Sequence, residues 1–156
     1  MVLGMSIETF TVVHVLISLV AIASGIVVMY GFLSNQRLDR WTAIFLVTTV
    51  LTSLTGFLFP FTGVTPAIKL GITSLVVLAI AAVARYFLHL TWRKTYVIAA
   101  CTGLYLNVFV LVVQSFEKVP SLKALAPTQK EPPFAIVQIA VLLFFVVLTT
   151  FSVKRC

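Results

Sequence analysis

Long apolar runs separated by short polar stretches dominate this chain. A helix that crosses a bilayer needs about 20 apolar residues at 1.5 Å rise per residue. Five runs meet that requirement, over residues 9–33, 42–59, 67–90, 96–116 and 134–152. The pattern therefore predicts an all-α fold in which residues 1–156 form a single bundle of five transmembrane helices.

The polar stretches between the runs are short, with one exception. Connections such as "SNQRLDRW" and "TWRKT" allow only a tight reversal, so consecutive helices are expected to be antiparallel neighbours. Residues 117–133 are longer and carry four prolines and both signs of charge. Pro120 suits the first turn of a short helix, whereas the stretch from Pro127 onward cannot be regular helix. We expect this segment to form an external flap across the outer ends of the bundle.

The composition agrees with the membrane interpretation. Apolar residues make up 61% of the chain and charged residues 10%, whereas soluble domains carry roughly 45–50% and about 25%. No Lys or Arg precedes the first run, so it is expected to stay as a helix rather than to be cleaved as a signal peptide.

The basic residues predict the orientation. The net charge is +7, but the cations are spread over short loops, which indicates topology signals and no nucleic-acid partner. One side of the membrane is expected to collect Arg37, Arg40, Arg93, Lys94, Lys154 and Arg155. The other side is expected to collect Lys69, Lys118, Lys123 and Lys130. Because cytoplasmic loops are richer in Lys and Arg, the N-terminus is predicted outside and the C-terminus in the cytoplasm.

Small and polar side chains recur along each run and predict the faces on which the helices pack. The small residues of this kind include Gly25, Gly71, Ser74, Ala81, Ala100 and Gly103.

Four larger polar residues are expected in the middle or outer half of the membrane, namely His14, Asn107, Gln114 and Gln138. A buried amide or imidazole must find a partner there. They predict either a packing network or a polar cavity for a quinone headgroup, a small solute or a proton path.

Arg85 is the exceptional charge inside a run. It recurs with His89 and Arg93 at i, i+4 and i+8, which predicts a row of cations on one helix face descending to the cytoplasm. Asp39 is the acidic residue expected on this side. We therefore expect Arg85 to pair with Asp39 or with anionic lipid headgroups.

Familiar catalytic and metal patterns are missing from the sequence. It has no HExxH, P-loop or GxSxG, and its four acidic residues lie near span ends. Two histidines suggest a b-type haem, but His14 and His89 are expected roughly 20 Å apart in depth and cannot ligate one iron. A haem would need a second subunit or another axial ligand. Neither Cys101 nor Cys156 belongs to a metal motif or offers a disulfide. We predict no resident metal or cofactor.

Three stretches resemble a family of small bacterial polytopic inner-membrane proteins to which no activity is assigned. They are "HVLISLVAIASGIVV", "GFLFPFTG" and "LAPTQKEPPFAIVQ", and the likeness runs along nearly the whole chain. The resemblance implies a bacterial inner membrane and assigns no functional residue.

Two functions remain open from the sequence. The first is a non-enzymatic accessory subunit of a larger membrane complex, or a small homo-oligomer. The alternative is a binder or carrier of a lipophilic molecule such as a quinone, through the outer polar residues.

Overall fold

Ser6, Thr65 and three prolines mark where helices begin. A computed structural model describes residues 1–60, 63–89 and 91–155. The chain is 80% helical, with no strand in the described ranges. The helices are α1 (Ile7–Leu33), α2 (Asp39–Gly56), α3 (Pro66–Ala82), α4 (Arg93–Lys118), α5 (Pro120–Leu125) and α6 (Pro132–Lys154). A π-helical turn, Val83–Phe87, continues α3.

The helix starts follow from local chemistry. The Ser6 hydroxyl accepts a hydrogen bond from the backbone N–H of Thr9 at 3.2 Å, and Thr65 caps α3 in the same way. Pro66, Pro120 and Pro132 occupy first turns, where the missing N–H has no intrahelical partner to lose.

Four helices of the described part are long and apolar enough to cross a membrane: α1, α3 with its π-helical turn, α4 and α6. The prediction of an all-helical membrane protein is confirmed. The second predicted span corresponds to α2, which is not among the four. It has 18 residues, begins with Asp39 and Arg40, and carries five threonines, so it lacks an 18-residue stretch as apolar as those in the four candidate spans.

Several predicted boundaries need correction. The third span was expected to reach residue 90, but the helix ends at Phe87, and Leu90 lies outside the described residues. The fourth helix starts at Arg93, three residues earlier than predicted, which matches the earlier end of the third helix. Cys156, expected on the cytoplasmic side, also lies outside the described residues.

The helices pack in sequence order and close on themselves. Neighbours in the chain lie against each other from α1 to α4, and α4 also contacts α1. The sixth helix packs on α4 and touches α1 only slightly. Buried side chains at the centre include Phe45, Tyr96, Val97, Ala100 and Leu104. Large apolar side chains elsewhere on α1, α3, α4 and α6 are exposed, as expected for surfaces that face lipid.

Small residues permit the closest helix approaches, as their recurrence predicted. A Cβ at Gly25 would lie 2.6 Å from Leu104 Cδ1, and one at Gly71 would lie 2.8 Å from the Phe57 ring. Ala81 and Ala100 are fully buried. These positions therefore need small side chains for the backbones to approach.

Most hydroxyl groups in the spans bond to their own helix rather than across an interface. Thr48, Thr52 and Thr55 each donate to the carbonyl four residues earlier. This satisfies the hydroxyl inside an apolar environment. Ser53 and Ser74 do connect two helices, at 3.2 Å.

The segment over residues 117–133 covers one end of α4. It contains α5, and Ala126 behind that helix is fully buried. The Gln129 side-chain amide donates to the Val113 carbonyl at 3.0 Å, and the Phe116 and Phe134 rings meet edge to face. The segment is therefore held against the bundle at this end.

Candidate functional site

The two ends of the bundle differ in charge. We call the end where α2 and α4 begin the basic end. It has one acidic residue, Asp39, and seven basic residues: Arg37, Arg40, Arg85, Arg93, Lys94, Lys154 and Arg155. At the opposite end, the flap end, four lysines accompany three glutamates. Of the net +7, the basic end thus carries +6 and the flap end +1.

Arg85 is the most enclosed of these cations. Its side chain is 9% exposed and forms a salt bridge with Asp39, whose own side chain is 68% exposed. The guanidinium also donates to the Tyr96 hydroxyl at 3.4 Å and lies 5.3 Å from the centre of that ring. The π-helical turn that holds Arg85 is a rare geometry, often found at functional sites.

Arg85 shares a small cavity with two further arginines. Its polar lining consists of Gln36, Arg37, Thr42, Arg85, Arg93 and Tyr96. Its apolar lining consists of Val28, Phe32 and Leu38. The cavity encloses about 20 Å³, room for about one water molecule. We call this site the arginine cleft.

The predicted row of Arg85, His89 and Arg93 on one helix face is wrong. The helix ends at Phe87, and His89 lies in a turn with φ of 47°, a left-handed backbone conformation. Arg93 opens the next helix and donates to the Asn35 side-chain oxygen at 3.1 Å. It reaches the cleft through the reversal of the chain, and His89 is exposed.

His14 meets α2 near the flap end. Its Nδ1 lies 2.7 Å from the Thr55 hydroxyl oxygen, and its ring lies edge-on to Phe59. Since the Thr55 hydroxyl donates to the Leu51 carbonyl, it accepts from His14. This arrangement places the imidazole proton on Nδ1 and leaves Nε2 as an acceptor.

The other polar residues make separate contacts. The Asn107 side-chain amide donates to Thr49 Oγ1 at 3.2 Å, and that of Gln138 donates to the Phe109 carbonyl at 3.4 Å. Gln114 is exposed on α4. The structure thus ties His14 and Asn107 to α2 and Gln138 to α4, and these contacts do not converge on one point.

One polar atom in this region stands out. Gln138 Oε1 is buried and accepts no hydrogen bond from the residues that the structure describes. An unsatisfied acceptor of this kind costs roughly 1–3 kcal/mol.

His14 and His89 lie near opposite ends of the bundle, as their sequence positions predicted. Within the described ranges, no three His, Cys, Asp or Glu side chains are grouped to hold a metal ion.

Sequence reasoning missed Tyr96, Arg37 and Gln36 as members of the cleft. Tyr96 follows Arg93 by one helical turn, a spacing that would have placed the two on neighbouring positions of one face. Nothing in the sequence showed that the loop with Gln36 and Arg37 folds over them.

These features define the class of the molecule, an all-helical multi-pass membrane protein. No protein-family model, curated protein or solved structure matches the chain.

Proposed function

We propose that the protein spans a bacterial inner membrane five times, with its N-terminus outside and its C-terminus in the cytoplasm. In this arrangement α2 also crosses the membrane and brings the number of spans from four to five. It packs against both α1 and α3, and its 18 residues extend roughly 27 Å, close to the hydrocarbon thickness of about 30 Å. The orientation rests on the number of Lys and Arg residues, which is seven at the basic end and four at the flap end. The bacterial inner membrane rests on the family resemblance.

We further propose that the protein is a non-enzymatic accessory subunit of a membrane complex or a small homo-oligomer. The observation that supports this function is the position of α6. Only 6% of the most apolar 18-residue stretch of α6 is buried inside the molecule, compared with 33% of the corresponding stretch of α1 and 39% of that of α4. A helix at the edge of the bundle offers the largest face to another membrane protein.

Purification in mild detergent followed by mass determination tests this function. We expect a particle whose protein mass corresponds to two or more copies of the 17.1 kDa chain, or to one chain with a stoichiometric partner. A photoreactive residue in place of Leu143, which is 59% exposed on α6, should form a crosslink of that same mass. The same residue in place of Val12, 58% exposed on α1, serves as the matched control. A monomer that purifies with no partner contradicts the proposal.

A second candidate function is the binding of a quinone-like molecule at Gln138, one of the four outer polar residues. It is favoured by Gln138 Oε1, a buried acceptor that a ligand hydroxyl would satisfy. His14 Nε2 supplies another acceptor.

An organic extract of the purified protein should then contain a stoichiometric quinone-like compound. The Gln138→Leu variant, which replaces the amide with an apolar side chain and so removes the acceptor, should lose this compound. An absorption spectrum of the same sample would reveal any haem. An extract that contains only phospholipid contradicts this second function.

A further inference from the structure

We propose that the arginine cleft binds a phosphate group, carried either by an anionic lipid headgroup or by free phosphate. This inference concerns the basic end and does not depend on the proposed accessory function. It rests on three arginines that line one cavity although they come from three different parts of the chain: the loop before α2, the π-helical turn and the start of α4.

The cleft has more positive charge than its own acid balances. Arg85 forms the only salt bridge within the described ranges, with Asp39. Arg93 bonds instead to the neutral oxygen of Asn35. Arginine presents a planar set of donors that matches the oxygens of phosphate and can bind them in pairs. Two of the three arginines therefore remain available to a ligand.

The start of α4 adds to the positive potential. The helix begins with Arg93 and Lys94, its first turn holds no acidic residue, and no side chain caps it. Cations at a helix N-terminus oppose the helix dipole, which favours anions there. An external anion beside Arg93 would reverse this unfavourable arrangement.

The lining also suits an amphiphilic ligand. Val28, Phe32 and Leu38 line the same cleft as the three arginines and Tyr96. An enclosed volume of about 20 Å³ admits one phosphate oxygen, so the remainder of the group stays at the mouth. Basic pockets between transmembrane helices on the cytoplasmic side are suited to anionic headgroups.

Asp39 competes with a bound phosphate for the Arg85 guanidinium. Its carboxylate holds one side of the Arg85 guanidinium while its own side chain is largely exposed. A phosphate that enters the cleft shares Arg85 with Asp39 and meets the negative charge of that carboxylate. The Asp39→Asn variant should therefore bind phosphate more tightly.

The two tryptophans of the chain provide a reporter. Trp41 lies two residues after Asp39, Trp92 directly precedes Arg93, and both side chains are exposed. We would titrate detergent-solubilised protein with dihexanoyl phosphatidylglycerol and follow tryptophan fluorescence. Dihexanoyl phosphatidylcholine controls for a headgroup without net charge. Inorganic phosphate, matched in ionic strength with chloride, forms a separate arm.

Two matched variants separate a built site from a diffuse field. The Arg37→Lys and Arg93→Lys pair keeps the net charge but removes the guanidinium geometry. The Lys154→Gln and Arg155→Gln pair removes two charges at the same end, outside the cleft. We expect the first pair to weaken phosphatidylglycerol binding roughly tenfold. The second pair should weaken it about twofold at physiological salt.

Saturation by phosphatidylglycerol but not by inorganic phosphate identifies a lipid headgroup, and saturation by both identifies a site open to free phosphate. Three results would overturn the proposal. The first is equal binding of the two lipids. The second is a loss of affinity in the Lys154→Gln and Arg155→Gln pair as large as that in the Arg37→Lys and Arg93→Lys pair. The third is an Asp39→Asn variant that binds no more tightly than the unmodified protein.

Discussion

Replacing Arg85 with leucine should leave membrane insertion intact or improve it. A charged side chain at the centre of a membrane helix costs about 2.5–3.5 kcal/mol on insertion scales, and the position of Arg85 near the basic end reduces that cost. Against this gain stands the loss of the salt bridge. Since the Asp39 side chain is 68% exposed, the bridge contributes no more than about 1 kcal/mol.

The contacts with Tyr96 add a second loss. A guanidinium over an aromatic ring contributes about 0.5–2 kcal/mol, and the distance of 5.3 Å to the Tyr96 ring falls within the usual range. The losses therefore offset much of the insertion gain, and folded stability should change by no more than about 1–2 kcal/mol. Arg85→Glu should be worse than Arg85→Leu, because it places a carboxylate beside Asp39.

The assay compares the membrane-integrated fraction of the two variants with the unmodified chain at equal expression. Thermal unfolding in detergent measures stability separately from insertion. If Arg85→Leu inserts less well than Arg85→Glu, the reasoning about the depth and pairing of Arg85 is refuted.

Three further predictions follow from individual contacts. Gly25→Ala should lower stability by about 1–3 kcal/mol through overpacking, because its Cβ would lie 2.6 Å from Leu104 Cδ1. Gly103→Ala, whose Cβ would lie 3.5 Å from its nearest atom, should be tolerated. Equal melting temperatures for the two variants would contradict this prediction. Thr55→Val should cost about 1–2 kcal/mol by leaving the His14 N–H without an acceptor, whereas Thr52→Val, which loses only a bond to its own helix, should cost less in the same melt. Hydrogen bonding by the Thr128 hydroxyl lowers the pKa of Glu131 from its ordinary value, so the stability that this bond gives the turn should be complete above the ordinary pKa of a glutamate and be lost as pH falls through the lowered pKa. The amide shift of Thr128 should report this loss in a titration by nuclear magnetic resonance, and Glu131→Gln should abolish the transition.

The length and apolar character of the runs made the helical membrane fold predictable. The recurrence of small residues likewise indicated the packing positions of Gly25 and Ala100. The end of the third helix was not predictable, because "VARYFLHL" continues the apolar pattern and contains neither Gly nor Pro. The π-helical turn that ends it contains Arg85, whose contacts with Asp39 and Tyr96 join residues far apart in the chain.

The contacts of the candidate sites were predictable only where the depth of a residue in the membrane was enough to identify its partner. Arg85 and Asp39 meet in the structure, and the sequence could suggest this because their depths matched and one acid lay on that side. Sequence position gives the depth of His14, Asn107 and Gln138 but not the directions in which they point. Their contacts with different neighbours therefore could not be foreseen.

Cysteine labelling in intact cells tests the central claim of a multi-pass protein with its basic end in the cytoplasm. Cys101 is buried, so the native Cys156 and a cysteine introduced at Ser121 on α5 can be compared with little background. With Cys156 replaced by serine, the Ser121→Cys variant should react with a membrane-impermeant thiol reagent. The unmodified chain should react only after the membrane is opened. Labelling of Cys156 in intact cells, together with protection of Ser121→Cys, would contradict the orientation.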